Sequence, residues 1–384
     1  MMAVFTQQQR QQARYWLPPL LAGGAAWLAF TLAGGTPLIR ASGLALVVVG
    51  MALALRPFGA ALAFTGSLAM AFSPSFWTQM GGAESLDPGQ VALALGAAII
   101  VGGVAFVILG KRPFTGAVIG LLLFAGLFLT TFGTPRSLRL TTLVTAWTLL
   151  LLVESLFVSN PRPDEPPTGK LMAYHAPGLL VLLAIGVLND PLVTLLAPAV
   201  ALGLFLSRKR LPLWYWAIFA VVAAIGVSGI IDNYISSFWW NYPPDQADAL
   251  HRHIPFLLGD AWREPSRWLR LISLVVSQFS VIGLALGVLG LARLSRWYPP
   301  VGVVTMIAYG TYALFGLIYF GEDSPVLLLP LLMIQVFWMT YAVYTFSQWL
   351  KKSLGMRGEL AVWFAPAAFT LLPLVMLLRI VGVF

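Results

Sequence analysis

The chain has 384 residues, of which 59% are hydrophobic, 10% are charged and none is cysteine, and its mean hydropathy is +0.86. Soluble domains carry about 25% charged residues, so a soluble enzyme, a disordered tail and a coiled coil are excluded. The lack of cysteine removes disulfide scaffolds, thiolate metal sites and cysteine nucleophiles. The formal charge of +9 would point to nucleic acid in a soluble protein; in a polytopic membrane protein it reads first as orientation across the bilayer.

A membrane-crossing helix needs roughly 20 mostly apolar residues. The sequence predicts an all-α bundle of about 13 transmembrane helices, at about 16–35, 41–55, 57–73, 89–110, 114–133, 138–158, 172–188, 191–206, 212–231, 269–292, 300–320, 325–349 and 360–383. The run 41–73 is split at Arg56-Pro57, because a charge beside a helix-breaking proline costs least at an interface. The run 172–206 is broken only at Asn189-Asp190-Pro191, a turn signal. Its halves are short, so a re-entrant pair is the alternative there. Residues 1–15 form a polar N-terminal segment ahead of an uncleaved signal-anchor, and 16–384 a single transmembrane domain. The longest loop is 232–268; a second, 73–89, carries two acids and no cation, and 160–170 is a proline-rich linker.

With the N-terminus cytoplasmic, the inner loops hold 15 Lys and Arg against 7 in the outer loops, and the outer side holds 10 acids against 3 inside. This asymmetry is the usual one for a cell-membrane protein and accounts for the basic charge without nucleic acid. The expected topology, that of a bacterial inner-membrane protein, is N-in and C-out, so a reporter fused after Phe384 reads as extracytoplasmic.

No P-loop, HExxH or GxSxG pattern occurs. His251 and His253 form the only histidine pair, and residues two apart do not share a helix face; no metal site is expected. Glu154 lies about one turn from the inner end of its helix and Arg379 near the outer end of the last, so both can reach an interface. Asp190 falls in a turn. The spans thus lack the mid-depth carboxylates of an ion-coupled transporter. Gly283 and Gly287 mark a close-packing helix face. The chemically interesting set is the outer acids: Glu84 and Asp87 after Trp77, Asp232 at the start of the long loop, and Glu322-Asp323. A carboxylate at such a rim can act as general base towards an acceptor hydroxyl. It can also hold a divalent cation on a lipid phosphate, or simply mark the side where cations are disfavoured.

The stretch 71–86, AFSPSFWTQMGGAESL, resembles a motif of a bacterial family of polytopic membrane proteins related to C-type (GT-C) glycosyltransferases, with a protein O-mannosyltransferase-like animal relative. Phe72, Ser73, Phe76, Trp77, Gln79 and Glu84 match it, and Leu86 stands where the family has tyrosine. The segment 238–254, with Asn241, Pro244 and His253, resembles a second family segment, without its Trp-Gly pair. The stretches 276–294 and 315–330, the latter through Tyr319, Asp323 and Pro330, resemble two more. The first outer loop, GGTPLIRAS, lacks the acid and the histidine that the family carries there.

The resemblance implies a GT-C-like fold that transfers a sugar from a polyprenyl-phosphate donor on the extracytoplasmic face. The implied catalytic acids are Glu84 and Asp87. The implied substrate-binding residues are Trp77, Gln79, Asp232, Trp239, Trp240, Asn241, His253, Tyr319 and Asp323. No cofactor beyond a divalent cation is implied, and the partners are membrane lipids. The missing first-loop acid supports a second reading, a non-catalytic scaffold or lipid-intermediate binder in a complex with membrane-protein partners. A lipid or neutral-solute transporter is the third.

Overall fold

The computed structural model describes residues 7–81, 138–159, 175–207, 211–236, 263–319, 323–354 and 358–383. Every element among them is helical. In chain order they are α1 (Gln7–Leu32), α2 (Leu38–Leu55), α3 (Ala60–Ala71), α4 (Pro74–Trp77), α5 (Leu138–Ser159), α6 (His175–Asn189), α7 (Ala197–Leu206), α8 (Leu213–Ile230), α9 (Pro265–Trp297), α10 (Pro299–Ile318), α11 (Ser324–Leu327), α12 (Leu329–Ser353) and α13 (Gly358–Val381). Short 3₁₀ turns follow α2 (Arg56–Phe58) and α4 (Thr78–Met80) and precede α7 (Pro191–Leu196), and a π-turn (Ile231–Ser236) ends α8.

The protein is an all-α membrane protein. Among the described residues, seven helices are long and apolar enough to cross a bilayer, and three more apolar helices are shorter. The expected spans 89–110 and 114–133 lie outside the described residues. Both expected breaks are present. The 41–73 run stops at the Arg56–Phe58 turn, where Gly59 takes a φ of 110° that a side chain would resist. The 172–206 run breaks at Asp190.

α5 and α12 are buried on nearly all faces and form the centre of the bundle. α8 is apolar all round yet exposes Trp214, Ile218, Val221 and Ile225, the surface of a helix that faces lipid. Between apolar helices in lipid, association comes from close packing rather than water exclusion. The α9–α12 crossing shows this. A β-carbon on Gly287 would collide with the Gln335 amide, and one on Gly290 with the Trp338 carbonyl oxygen. At one end of the bundle Phe58, Phe157, Phe337, Tyr341 and Tyr344 form an aromatic cluster, with ring centroids 5.1 to 6.3 Å from Phe58.

α3 has 12 residues, about 18 Å at 1.5 Å per residue, against an apolar thickness of about 30 Å. The turn after it is wrapped in protein, as irregular backbone inside a membrane bundle must be: Ser73, Ser75 and Gln79 are buried. The same holds at the α6 break, where Asp190 is 0% exposed.

Candidate functional site

The first turn of α5 holds these two buried breaks together. Towards the 72–81 turn, Arg139 donates from Nε to the Gln79 carbonyl (2.8 Å) and from Nη2 to the Gly81 carbonyl (2.7 Å). Arg40, at the start of α2 and buried, donates from Nη1 to the same Gly81 carbonyl at 3.1 Å. The turn exists because Ser73 precedes Pro74, and a residue before proline is pushed out of the helical region. Ser73 takes φ −67°, ψ 140°, its hydroxyl donates back to the Met70 carbonyl, and Pro74 starts the one-turn helix α4. From the opposite wall, Gln278 of α9 accepts the Ser75 N–H at 2.8 Å.

Gln79 is the most informative residue of the turn. Its Nε2 donates to Thr142 Oγ1 at 2.7 Å, while that hydroxyl donates its own proton to the Leu138 carbonyl at 2.7 Å. Thr142 can only accept from Gln79, which fixes the amide orientation. Gln79 Oε1 is then left buried, with no hydrogen-bond partner among the described residues. The Thr36 hydroxyl, in the α1–α2 turn, is in the same condition. Buried acceptors are normally satisfied, so the Gln79 oxygen is a place for a donor.

Towards the second break, Thr141 donates to Asp190 Oδ2 at 3.0 Å, and Asn189 Nδ2 donates to Thr141 Oγ1 at 3.0 Å. Asp190 Oδ1 accepts the Leu192 N–H at 3.1 Å, capping the Pro191–Leu196 turn. The Tyr312 hydroxyl of α10 donates to the Leu192 carbonyl at 3.0 Å. Asp190 sits in a turn as expected, but a turn buried inside the bundle rather than in an open loop.

The other expected site residues divide three ways. Trp77 is half-buried and packs edge-on against Phe30 and Phe72 (5.8 and 6.2 Å) at the same turn. Tyr319 and Asp323 are brought together, the phenol donating to Asp323 Oδ1 at 2.7 Å, and α11, which begins just after Asp323, packs on α4. Asp232 is exposed on the π-turn after α8, and no described contact joins it to the 72–81 turn. Glu84, Asp87, Trp239, Trp240, Asn241 and His253 lie outside the described residues. Among those described, no three His, Cys, Asp or Glu side chains converge as metal ligands.

Sequence reasoning passed over Arg40, Arg139, Thr141 and Thr142. A signal for the two arginines was there: the sequence reading already set both in outer loops, where it expects few cations. It placed Glu154 within reach of an interface and named no partner for it. The structure joins it to other helices. Tyr15 donates to Glu154 Oε1 at 3.3 Å, His175 Nε2 lies 3.5 Å from Glu154 Oε2, and the Arg56 guanidinium sits 3.5 Å over the Tyr15 ring.

Comparisons with protein-family models, with curated proteins and with solved structures found no match to this chain.

Proposed function

We propose that this is a multi-pass membrane protein that takes a lipid-linked phosphosugar at the 72–81 turn and transfers the sugar on the extracytoplasmic side, with Glu84 and Asp87 as the candidate bases. The observation that carries this reading is the buried, unpartnered Gln79 oxygen in a turn whose backbone carbonyls two arginines hold. A sugar offers hydroxyl donors to such an acceptor, and a phosphate offers an anion to guanidinium groups. Glu84 and Asp87 follow the turn within a few residues of Gly81, and the Trp77 ring edges the same turn. The GT-C likeness and a 13-span, N-in, C-out topology of a bacterial inner-membrane protein belong to the same proposal.

The chemistry would be a displacement at the anomeric carbon. The acceptor hydroxyl loses its proton to a carboxylate as the glycosidic C–O bond forms, and the lipid phosphate leaves with the electron pair of the broken bond. A divalent cation on the phosphate would assist that departure.

A non-catalytic lipid-intermediate binder is the second reading, and one observation favours it. Asp190, Glu264 and Asp323 are each held by groups of the same chain, Glu264 by Arg267 at 2.7 Å. The candidate bases Glu84 and Asp87 lie outside the described residues. The deciding experiment supplies polyprenyl-phosphate sugars and candidate acceptors to the purified protein. Transfer that is lost in Glu84→Gln or Asp87→Asn supports the transferase. Saturable donor binding that weakens in Gln79→Leu, without turnover, supports the binder. Absence of both rejects the site.

A further inference from the structure

The turn between α1 and α2 is short and mostly faces outward: Ala33, Gly35 and Pro37 are exposed. Thr36 is buried between them. Gly35 takes a φ of 59°, which glycine adopts at no steric cost, and the chain doubles back until the Thr36 N–H reaches the Phe30 carbonyl at 3.1 Å. The Thr36 side chain is then 4% exposed. A hydroxyl on a turn normally finds water. This one is buried with no hydrogen-bond partner among the described residues, a rare arrangement in native proteins. Valine would have nearly the same shape and would leave nothing unpaired.

The same turn touches the 72–81 turn. A β-carbon on Gly34 would stand 3.2 Å from Thr36 Oγ1 and 3.1 Å from Met80 Sδ. Arg40, at the start of α2, donates to the Met80 carbonyl at 3.4 Å as well as to that of Gly81. Gln79, the residue before Met80, is 5% exposed and carries the unpartnered Oε1. Two turns in contact thus each bury one polar atom without a partner.

The chemistry of the two atoms limits what can satisfy both. Gln79 Oε1 only accepts, so its partner must bring a proton, and a phosphodiester has none to give. The Thr36 hydroxyl both donates and accepts. The guanidinium groups of Arg40 and Arg139, on the carbonyls of the 72–81 turn, oppose a metal cation. Neutral hydroxyl groups meet all three conditions.

We propose that Thr36 is a second sugar-binding residue, which acts with Gln79 on the hydroxyl groups of the bound sugar and makes the α1–α2 turn a further wall of the site. This rests on the reading of the 72–81 turn as a phosphosugar site and names the part of the ligand that is read there. The first outer loop, which has neither acid nor histidine, then serves recognition.

The test titrates the protein in lipid nanodiscs with a polyprenyl-phosphate hexose and with the same polyprenyl phosphate lacking the sugar. The parent should prefer the hexose form. Thr36→Val should weaken binding of the hexose form about five- to tenfold, the worth of one hydrogen bond, and leave binding of the sugar-free form unchanged. Thr36→Ser, which keeps the hydroxyl, should bind like the parent. Without ligand, Thr36→Val should melt at or above the parent, because only an unpaired group is removed. A Thr36→Val protein that binds both lipids like the parent, or binds both equally weakly, overturns the proposal. So does a lower melting temperature of ligand-free Thr36→Val, which would show the hydroxyl already satisfied by an ordered water. If Gln79→Leu still loses the hexose preference in those cases, the phosphosugar reading stands and the role of Thr36 alone falls. A parent that binds neither lipid ends both.

Discussion

Replacing Gly290 by alanine tests the central crossing of the bundle most directly. The new methyl group would run into the Trp338 carbonyl oxygen, an atom fixed in the interior of α12. It cannot rotate aside, so the helices must separate. Overpacking of this kind costs about 1–3 kcal/mol, and a rigid backbone obstacle puts Gly290→Ala near the top of that range. At Gly287 the obstacle is the Gln335 side chain. That side chain can swing away, giving up its bond to the Gly283 carbonyl, a loss of about 1 kcal/mol. A β-carbon added to Gly24 in α1 would meet nothing within 4 Å, and alanine there gains about 0.5–1 kcal/mol of helix preference. The expected order of stability is Gly24→Ala at or above the parent, then Gly287→Ala, then Gly290→Ala. Thermal inactivation of the detergent-solubilised protein, followed by the surviving monodisperse fraction, reads this order. If Gly290→Ala melted with the parent, the α9–α12 contact would not be the close one described.

Thr142→Val removes the only described partner of the Gln79 amide and should cost about 1–3 kcal/mol for the buried group left unpaired, measured in the same melt. Arg139→Lys should loosen the 72–81 turn nearly as much as Arg139→Gln, because an ammonium cannot reproduce the fork that reaches two carbonyls; equal protease resistance of parent and Arg139→Gln at that turn would contradict the clamp. Asp190→Ala loses both the cap on Leu192 and the Thr141 bond, and should cost at least about 1–2 kcal/mol. Asp190→Asn keeps an acceptor for Leu192 and should lie between Asp190→Ala and the parent in the same melt.

The sequence by itself determined the class of molecule. Apolar runs and scarce charge leave only a helical membrane protein, because unsatisfied backbone cannot face lipid. The breaks at Arg56-Pro57 and Asn189-Asp190-Pro191 were also legible, since proline and charge act on the chain locally. The contacts that organise the 72–81 turn were not legible. Arg40, Arg139 and Thr142 reach it from 41 to 63 residues away in sequence, and helical spacing says which face a residue is on but not which helix it meets. The partners of Glu154 were likewise hidden: α1 and α6 bring Tyr15 and His175 to it. Ser280 carries no sequence mark at all: its φ of 66° inside α9 is visible only in the folded backbone, because local sequence sets helix preference but not how a long helix must bend to fit its neighbours.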